Sequence, residues 1–411
     1  MMQDRMHREV ERFFKTDSRY LFSGGFWLSL TKVFAMGVSF LTSIAFANLL
    51  PEHTYGVYRY VLSLLPILTI PTLNGIDTAL TRAVARGKES TLYPALSLKV
   101  TWGLLGGIAS LAVALYYYLN GNIELTLCFL IASLFIPLMD PFGLFVAHLA
   151  GRKDFKRQTI YQILTKIVPA ALLIGTVFVT SNVFVVIAVY FVAYTLLRLF
   201  FLVRLMRDVP KSGPTDNESL GLGKHLSLMG ILGVISTSLD KILIFHFSGG
   251  AVLAGYYLAL MPYKQLSSIF GSITTLALPK LAEKDAATII RTLPAKVWKS
   301  YLIVVPMVVG YILVAPYAFE LLYPKYVEHI LLSQIFVLLL LLLPISIFHT
   351  AITAQADKKK LYASSISYAV IRIVLLLVLT PLFGIWGAVA SILGTNLLSN
   401  VITIFLFYRL R

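Results

Sequence analysis

Cysteine is almost absent from this chain, because Cys128 is the single example among 411 residues. One thiol can form neither a disulfide within the chain nor a metal site that needs several cysteines. Two common enzyme motifs are also missing, the GxxxxGK(S/T) nucleotide loop and the HExxH zinc motif. We therefore predict that the chain has no catalytic residues, no metal site and no cofactor.

Charged residues are scarce as well. They make up 13% of the chain, whereas 58% of the residues are hydrophobic and the mean hydropathy is +0.82. Soluble globular proteins do not have this composition. Two charge-free runs, residues 167–197 and 373–408, each exceed the ~20 residues that one membrane span needs. The composition predicts an all-α, multi-pass membrane protein, and the polar, basic first 20 residues argue against a cleavable signal peptide.

Apolar runs and the turn signals between them predict twelve transmembrane helices with short connections. The predicted spans are about 21–48, 57–80, 98–119, 124–149, 158–180, 183–206, 225–247, 252–278, 299–318, 328–354, 361–381 and 384–408.

The cations are distributed unequally about these spans. When cations near a span end are counted with the adjoining connection, as Lys99 is, 28 of the 35 lysines and arginines fall on one side of the membrane, five lie well inside spans, and Arg59 and Lys325 lie near the other side. Cytoplasmic segments carry the excess of lysine and arginine in membrane proteins, which predicts cytoplasmic N and C termini. The net charge of +16 is then mainly a topology signal, and we expect no nucleic-acid partner.

The two halves of the chain resemble each other. Residues 54–60 match 253–259, and Pro137 and Pro344 fall at corresponding places in spans four and ten. Six spans per half predict two six-helix bundles related by a pseudo-twofold axis along the membrane normal. The predicted domains are a basic N-terminal segment (1–20), a first bundle (21–206), a cytoplasmic linker (207–224), a second bundle (225–408) and a cytoplasmic tail (409–411). Residues 1–20 fit either an amphipathic helix on the membrane surface or a frayed basic tail.

Charged side chains inside spans are the strongest functional signal. Each costs roughly 2.5–3.5 kcal/mol at the bilayer centre on insertion scales, so it persists where it meets a partner, water or a ligand. Fewer acids than cations lie at this depth, which favours a cavity for an anionic substrate over snorkelling or structural pairing. The cations are Lys32, Lys166, Lys241, Lys264 and Arg372, and the acids, predicted counter-charges or coupling groups, are Asp77, Asp140 and Asp240.

Two of these positions allow a more specific expectation. Lys166 and Arg372 coincide in the repeat, so we expect them to face each other across the axis. Asp240 and Lys241 are adjacent on a helix and project about 100° apart, so we expect that they do not neutralise each other. Pro141 directly follows Asp140 and predicts a kink in span four, either as a hinge or cavity wall or as a purely structural bend.

Two segments carry a family resemblance. Residues 48–58 (NLLPEHTYGVY) resemble the junction between the first two spans of polysaccharide-lipid flippases, and residues 236–244 (STSLDKILI) with 254–259 (AGYYLA) resemble that family's seventh and eighth spans. The family belongs to the multidrug/oligosaccharidyl-lipid/polysaccharide (MOP) exporter superfamily. The resemblance covers the whole chain, including the count of twelve spans.

This resemblance implies a flippase in the bacterial inner membrane. Its substrate would be an undecaprenyl-pyrophosphate-linked repeat unit, of O-antigen or a related polysaccharide, moved from the cytoplasmic to the periplasmic leaflet by alternating access through the cationic cavity. Membrane lipids, a polysaccharide polymerase and a chain-length regulator are the implied partners. Protons, sodium or the membrane potential remain open as the energy source.

Three other functions are alternatives to a flippase. An ion-coupled small-molecule or multidrug antiporter of the same superfamily is the main alternative, but such exporters usually rely on acidic cavities. A membrane enzyme of polysaccharide assembly is disfavoured because the predicted outer loops are short. A major-facilitator transporter is disfavoured because the basic turn at residues 82–88 lacks that family's motif.

Overall fold

The computed structural model of the chain describes residues 18–283, 285–355 and 358–409. All regular secondary structure in these ranges is helical, which confirms the all-α prediction. Most of the basic N-terminal segment, residues 1–17, lies outside the described residues, as do residues 410 and 411 of the predicted tail.

The first half of the chain contains eight α-helices separated by short connections. Three of the connections are 3₁₀ turns, at Ile70–Thr72, Glu89–Thr91 and Pro141–Leu144. The α-helices are α1 (Ser18–Leu49), α2 (Glu52–Leu68), α3 (Gly75–Ala85), α4 (Leu92–Leu119), α5 (Ile123–Met139), α6 (Phe145–Gly151), α7 (Phe155–Val179) and α8 (Val183–Met206).

The second half contains five further α-helices, two of them long. 3₁₀ turns at Pro324–His329 and Leu339–Ile345 lie on either side of a short helix. The helices are α9 (Asn217–Ala282), α10 (Ala286–Leu322), α11 (Ile330–Leu338), α12 (Ser346–Ala354) and α13 (Lys358–Tyr408).

Nine helical stretches of the described chain are long and apolar enough to cross a membrane. The protein is therefore a multi-pass membrane protein, as predicted. The predicted second span is instead a bent pair of helices, Glu52–Thr72 and Gly75–Ala85, which meet at 54°. Pro71 cannot donate a backbone hydrogen bond, and Leu73 takes a left-handed conformation with φ 61°, so a straight helix cannot continue here.

Both long helices contain an interior glycine that interrupts the helix. Gly249 in α9 has φ 86° and Gly384 in α13 has φ 55°, values that side-chain-bearing residues rarely adopt. The break at Gly384 confirms the turn predicted at the end of the eleventh span. The α-helix of the predicted fourth span is also interrupted at Asp140, because α5 ends at Met139 and a 3₁₀ turn follows at Pro141–Leu144.

The chain forms two compact units. The N-terminal unit comprises residues up to Ala45 together with Ile67–Ile231, and the C-terminal unit comprises Phe46–Pro66 together with residues from Leu232 onward. Most of α2 thus groups with the second half of the chain, whereas the predicted first bundle included it. The pseudo-twofold relation of two six-helix bundles stays a prediction.

The predicted linker is attached to the N-terminal unit rather than free. Ser90 Oγ donates to the carbonyl of Pro210 at 2.9 Å, and Tyr93 Oη donates to the carbonyl of Val209 at 3.1 Å. Arg157 Nη1 lies 2.6 Å from Asp208 Oδ2. The predicted linker therefore holds the N-terminal ends of α4 and α7 together.

Candidate functional site

A buried carboxylate organises the charged residues of the C-terminal unit. Asp240 on α9 has no exposed surface, and its Oδ1 lies 2.6 Å from Lys241 Nζ. Its Oδ2 accepts a hydrogen bond of 2.7 Å from Tyr256 Oη and lies 3.6 Å from Arg372 Nη2 on α13. Residues more than a hundred positions apart in the chain, on α9 and α13, thus contribute side chains to one cluster, and both carboxylate oxygens have partners.

The contact between Asp240 and Lys241 corrects the sequence expectation. The two Cβ atoms project in different directions, but the lysine side chain is long enough to turn back toward the preceding helical turn, where Nζ also donates to the carbonyl of Thr237 at 2.9 Å. From there the ammonium reaches the neighbouring carboxylate. Spacing arguments that use Cβ directions fail for a side chain with four rotatable bonds.

Lys264 adds a third cation to this cluster. It lies on α9 after the Gly249 break and interacts electrostatically with Asp240, Lys241 and Arg372. Although many protein atoms surround it, its side chain keeps exposed surface, as on a concave wall. Two cations pair with this carboxylate and a third lies within electrostatic range, so the cluster carries an excess of positive charge. An anionic ligand would offset that excess.

Arg59 on α2 is a further cation that sequence reasoning missed. Its guanidinium lies 3.6 Å from the centre of the Tyr257 ring and donates to Tyr55 Oη at 2.9 Å. It also interacts electrostatically with Lys264. The sequence analysis placed Arg59 near an outer loop, but the tyrosines around it were a usable signal, because arginine stacks readily on aromatic rings.

The N-terminal unit contains a different charge cluster. Lys99 on α4 is fully buried, and its Nζ lies 2.7 Å from Asp77 Oδ1 and 2.9 Å from Asp140 Oδ2. Thr72 Oγ1 donates to the same Asp140 oxygen at 2.6 Å. The structure therefore brings Asp77 and Asp140 together, but their partner is Lys99 and not one of the five predicted cavity cations. Lys99 is the second residue of the predicted span and was counted with the preceding connection, whereas the helix begins six residues earlier, at Leu92, so that Lys99 lies two turns inside it.

The other predicted cations of this unit lie apart from that ion pair. Lys166 on α7 is exposed and its Nζ lies 5.9 Å from the centre of the Tyr194 ring, as does the guanidinium carbon of Arg198. Arg198 donates to the carbonyl of Met139 at 2.8 Å. Lys32 is exposed on α1. Lys166 and Arg372 belong to different units, so the expectation that they face each other stays a prediction.

Sequence comparison identifies the family. A family described as polysaccharide biosynthesis protein matches residues 21–284 of the chain. The chain belongs to this family. No protein of curated function matches it in sequence. The match covers most of α1 and all of α2 to α9, including Asp240, Lys241 and Lys264, and it confirms the family suggested by residues 48–58 and 236–244.

Solved structures show which fold this family member has. An outward-facing multidrug resistance MATE transporter of the MOP superfamily superposes with a TM-score of 0.66 at 16% identity, covering 94% of each chain. The lipid II flippase MurJ, in an inward closed conformation, superposes with a TM-score of 0.68 at 12% identity, covering 93% of this chain and 87% of MurJ.

A third similar structure is a MOP superfamily transporter from Pyrococcus furiosus, described as having a binding pocket of reverse polarity. Its TM-score is 0.63 at 16% identity, with 94% of this chain and 95% of that chain covered. These likenesses establish the MOP transporter fold for this family member. They do not distinguish a drug exporter from a lipid flippase, because both have this fold. The substrate must therefore be inferred from the residues of this chain.

Proposed function

We propose that the protein is a flippase for lipid-linked oligosaccharides. It moves undecaprenyl-pyrophosphate-linked repeat units, of O-antigen or a related surface polysaccharide, from the cytoplasmic to the periplasmic leaflet of the bacterial inner membrane by alternating access. The family membership supports a role in polysaccharide assembly, and the fold supports transport rather than catalysis. A polymerase and a chain-length regulator are the proposed downstream partners.

The observation that carries the proposal is the excess of cations around Asp240. Lys241, Lys264 and Arg372 surround a single carboxylate, and Arg59 lies within electrostatic range of Lys264. A pyrophosphate carries at least two negative charges and several acceptor oxygens, which suits lysine and arginine donors. A substrate cation would be repelled by the same cluster. The proposal therefore assigns the pyrophosphate to this cluster, with Lys32 and Lys166 as further cations along its route.

A topology of twelve spans is part of the proposal. Counting the bent helix pair as one span and each glycine-interrupted helix as two gives twelve, because each piece approaches or exceeds the ~20 residues needed to cross a ~30 Å core. An even number places both termini on one side, and the basic connections favour the cytoplasm. Asp77, Asp140 and Asp240 are counter-charges of the empty state, and the energy source is open among protons, sodium and membrane potential.

The second candidate is an ion-coupled small-molecule or multidrug antiporter, because several of the similar structures are multidrug resistance transporters. It differs from the flippase in the charge of its substrate. An enzyme of polysaccharide assembly has no comparable support from the residues described above.

Replacing Lys264 by Gln provides the sharpest cellular test. This change removes a charge from the cluster while the ion pairs of Asp240 with Lys241 and Arg372 remain. Loss of one charge-assisted hydrogen bond costs about 1.5–3 kcal/mol, so we expect roughly a tenfold or larger fall in surface polysaccharide. Lipid-linked glycan should accumulate in the cytoplasmic leaflet of the same cells.

Lys296→Gln is the matched control, because Lys296 is an exposed lysine on α10 of the same unit, outside the cluster. It should leave export unchanged. Normal export by a normally inserted Lys264→Gln protein would contradict the role of the cluster. Drug sensitivity in cells without the protein, with no accumulation of lipid-linked sugar, would favour the antiporter instead.

A further inference from the structure

The C-terminal unit also contains a polar cavity between α9, α12 and α13. Its volume is about 350 Å³, at the lower end of the range for small-molecule sites. Twelve described residues line it, from α9, α12 and both segments of α13, and ten of them have a hydroxyl, amide or imidazole group. None of the twelve is an aspartate, glutamate, lysine or arginine.

The hydroxyl groups of this cavity offer mainly acceptors. Ser236 and Thr237 donate to the carbonyl of Gly233, and Ser346 donates to the carbonyl of Leu343. Each hydroxyl has one proton and two lone pairs, so a hydroxyl whose proton is used within its own helix still accepts. The same holds for the side-chain oxygen of Asn396, whose nitrogen donates to the carbonyl of Ile392.

Two other side chains of the cavity wall are available to hydrogen-bond a ligand. Among the described residues, Ser399 and Asn400 have no side-chain hydrogen-bond partner, and both face the cavity. A wall rich in acceptors, with a few free donors and no net charge, matches a ligand that presents many hydroxyl groups. A sugar has that chemistry, whereas a drug cation or a phosphate does not.

The cavity lies next to the cation cluster. Ser236 precedes Asp240 by four residues on α9, and Tyr368 precedes Arg372 by four residues on α13. Four residues are about one helical turn, or 5.4–6 Å. Tyr368 links the two regions directly, because its hydroxyl accepts from Arg372 Nη1 at 2.9 Å and keeps its own proton available to a ligand.

We infer that the cavity binds an uncharged sugar, namely the residue bonded to the pyrophosphate of the lipid-linked glycan. In such a lipid the first sugar and the pyrophosphate are directly bonded. In this protein the cavity and the cation cluster are one helical turn apart on both α9 and α13. This inference rests on the proposed flippase function. It divides recognition between a charged part that every pyrophosphate lipid satisfies and a neutral part that senses the sugar.

Equilibrium binding to the purified full-length protein in nanodiscs tests the inference. The two probes are undecaprenyl pyrophosphate, which lacks a sugar, and the lipid-linked glycan extracted from cells that lack the protein. Asn400→Leu should weaken binding of the glycan lipid about threefold to tenfold, as expected for one neutral hydrogen-bonding group, and leave undecaprenyl pyrophosphate binding unchanged. Ser399→Ala, a smaller change, should act in the same direction.

The controls separate the possible outcomes. Ser367→Ala, on α13 but outside the cavity, should affect neither probe. Lys264→Gln should weaken both probes, since it acts on the pyrophosphate. If Asn400→Leu and Ser399→Ala weaken neither probe, or both probes equally, the cavity holds water only and the inference is wrong. If wild-type protein binds neither undecaprenyl pyrophosphate nor the lipid-linked glycan, the proposed function itself fails.

Discussion

Individual charged residues differ in what surrounds them. Lys99 is fully buried and touches two carboxylates, so the N-terminal cluster has more acid than base and its lysine is satisfied. Asp240 is also buried, but the cations Lys241, Lys264 and Arg372 outnumber it. We propose that the first arrangement holds helices together, whereas the second retains positive charge for a ligand. On this proposal the ratio of cations to acids, rather than depth in the membrane, distinguishes a structural ion pair from a binding site.

Replacing Lys99 by Met should therefore lower the stability of the protein more than it impairs transport. The change leaves Asp77 and Asp140 without a cation, and breaking a buried ion pair costs about 3–5 kcal/mol. We expect the lower end of that range, because the Asp77 side chain is about half exposed. Thermal denaturation of the purified protein measures the effect.

Adding Asp77→Asn and Asp140→Asn to Lys99→Met should recover much of the lost stability, because no unpaired carboxylate then remains. An unchanged denaturation midpoint in Lys99→Met would show that the ion pair is not structural. Lys264→Gln, by contrast, should leave the midpoint near that of wild type.

The residue types at the site could be predicted from the sequence, but most of their partners could not. Insertion cost identified Lys241, Lys264, Arg372 and Asp240, which do cluster. It missed Lys99, because that lysine stood at the edge of the predicted span and was counted with the connection, whereas α4 begins six residues earlier, at Leu92. It also missed Arg59, whose burial depends on a tyrosine about two hundred positions away in the chain.

At the scale of helices, a glycine allows close backbone contact between α2 and α9. A side chain at Gly56 on α2 would place its Cβ 1.8 Å from the carbonyl oxygen of Gly250, next to the break in α9. Arg59, less than one turn further along α2, stacks on Tyr257 beyond the same break. The motif at residues 48–58 therefore fixes α2 against α9, which explains why most of α2 belongs to the C-terminal unit.

Gly56→Ala should weaken this contact strongly. Overpacking costs about 1–3 kcal/mol, and the overlap with backbone here favours the upper end because no flexible side chain can move away. Gly310→Ala in α10 is the matched control, since nothing lies within 4 Å of its added Cβ, and alanine should stabilise that helix by about 1 kcal/mol. Equal denaturation midpoints for the two variants would contradict the proposed packing.

The helices were predicted better than their interruptions. Apolar runs located the helical stretches that are long and apolar enough to cross a membrane, since burial in lipid requires length and hydropathy that a sequence displays directly. The bend between α2 and α3 was missed because Pro66 and Pro71 lie in an otherwise apolar stretch. The attachment of the predicted linker to Ser90 and Tyr93 could not be predicted either, because these hydrogen bonds join parts of the chain that are distant in sequence.

For the whole molecule, the fold and the charge distribution carry different information. Transporters with 12–16% identity to this chain share its fold, and they include both multidrug transporters and a lipid II flippase. Fold alone does not determine the substrate, because function depends on the site built on it. In this protein the C-terminal unit presents excess positive charge beside a neutral polar cavity. That combination favours an anionic lipid with a sugar attached.

The most direct test compares one anionic and one cationic probe on the purified protein in nanodiscs. Undecaprenyl pyrophosphate should bind, tetraphenylphosphonium should not, and Lys264→Gln should weaken the pyrophosphate lipid by about tenfold, equivalent to about 1.4 kcal/mol, while Lys296→Gln leaves it unchanged. Binding of tetraphenylphosphonium without binding of undecaprenyl pyrophosphate would contradict the assignment and identify the protein as a cation exporter.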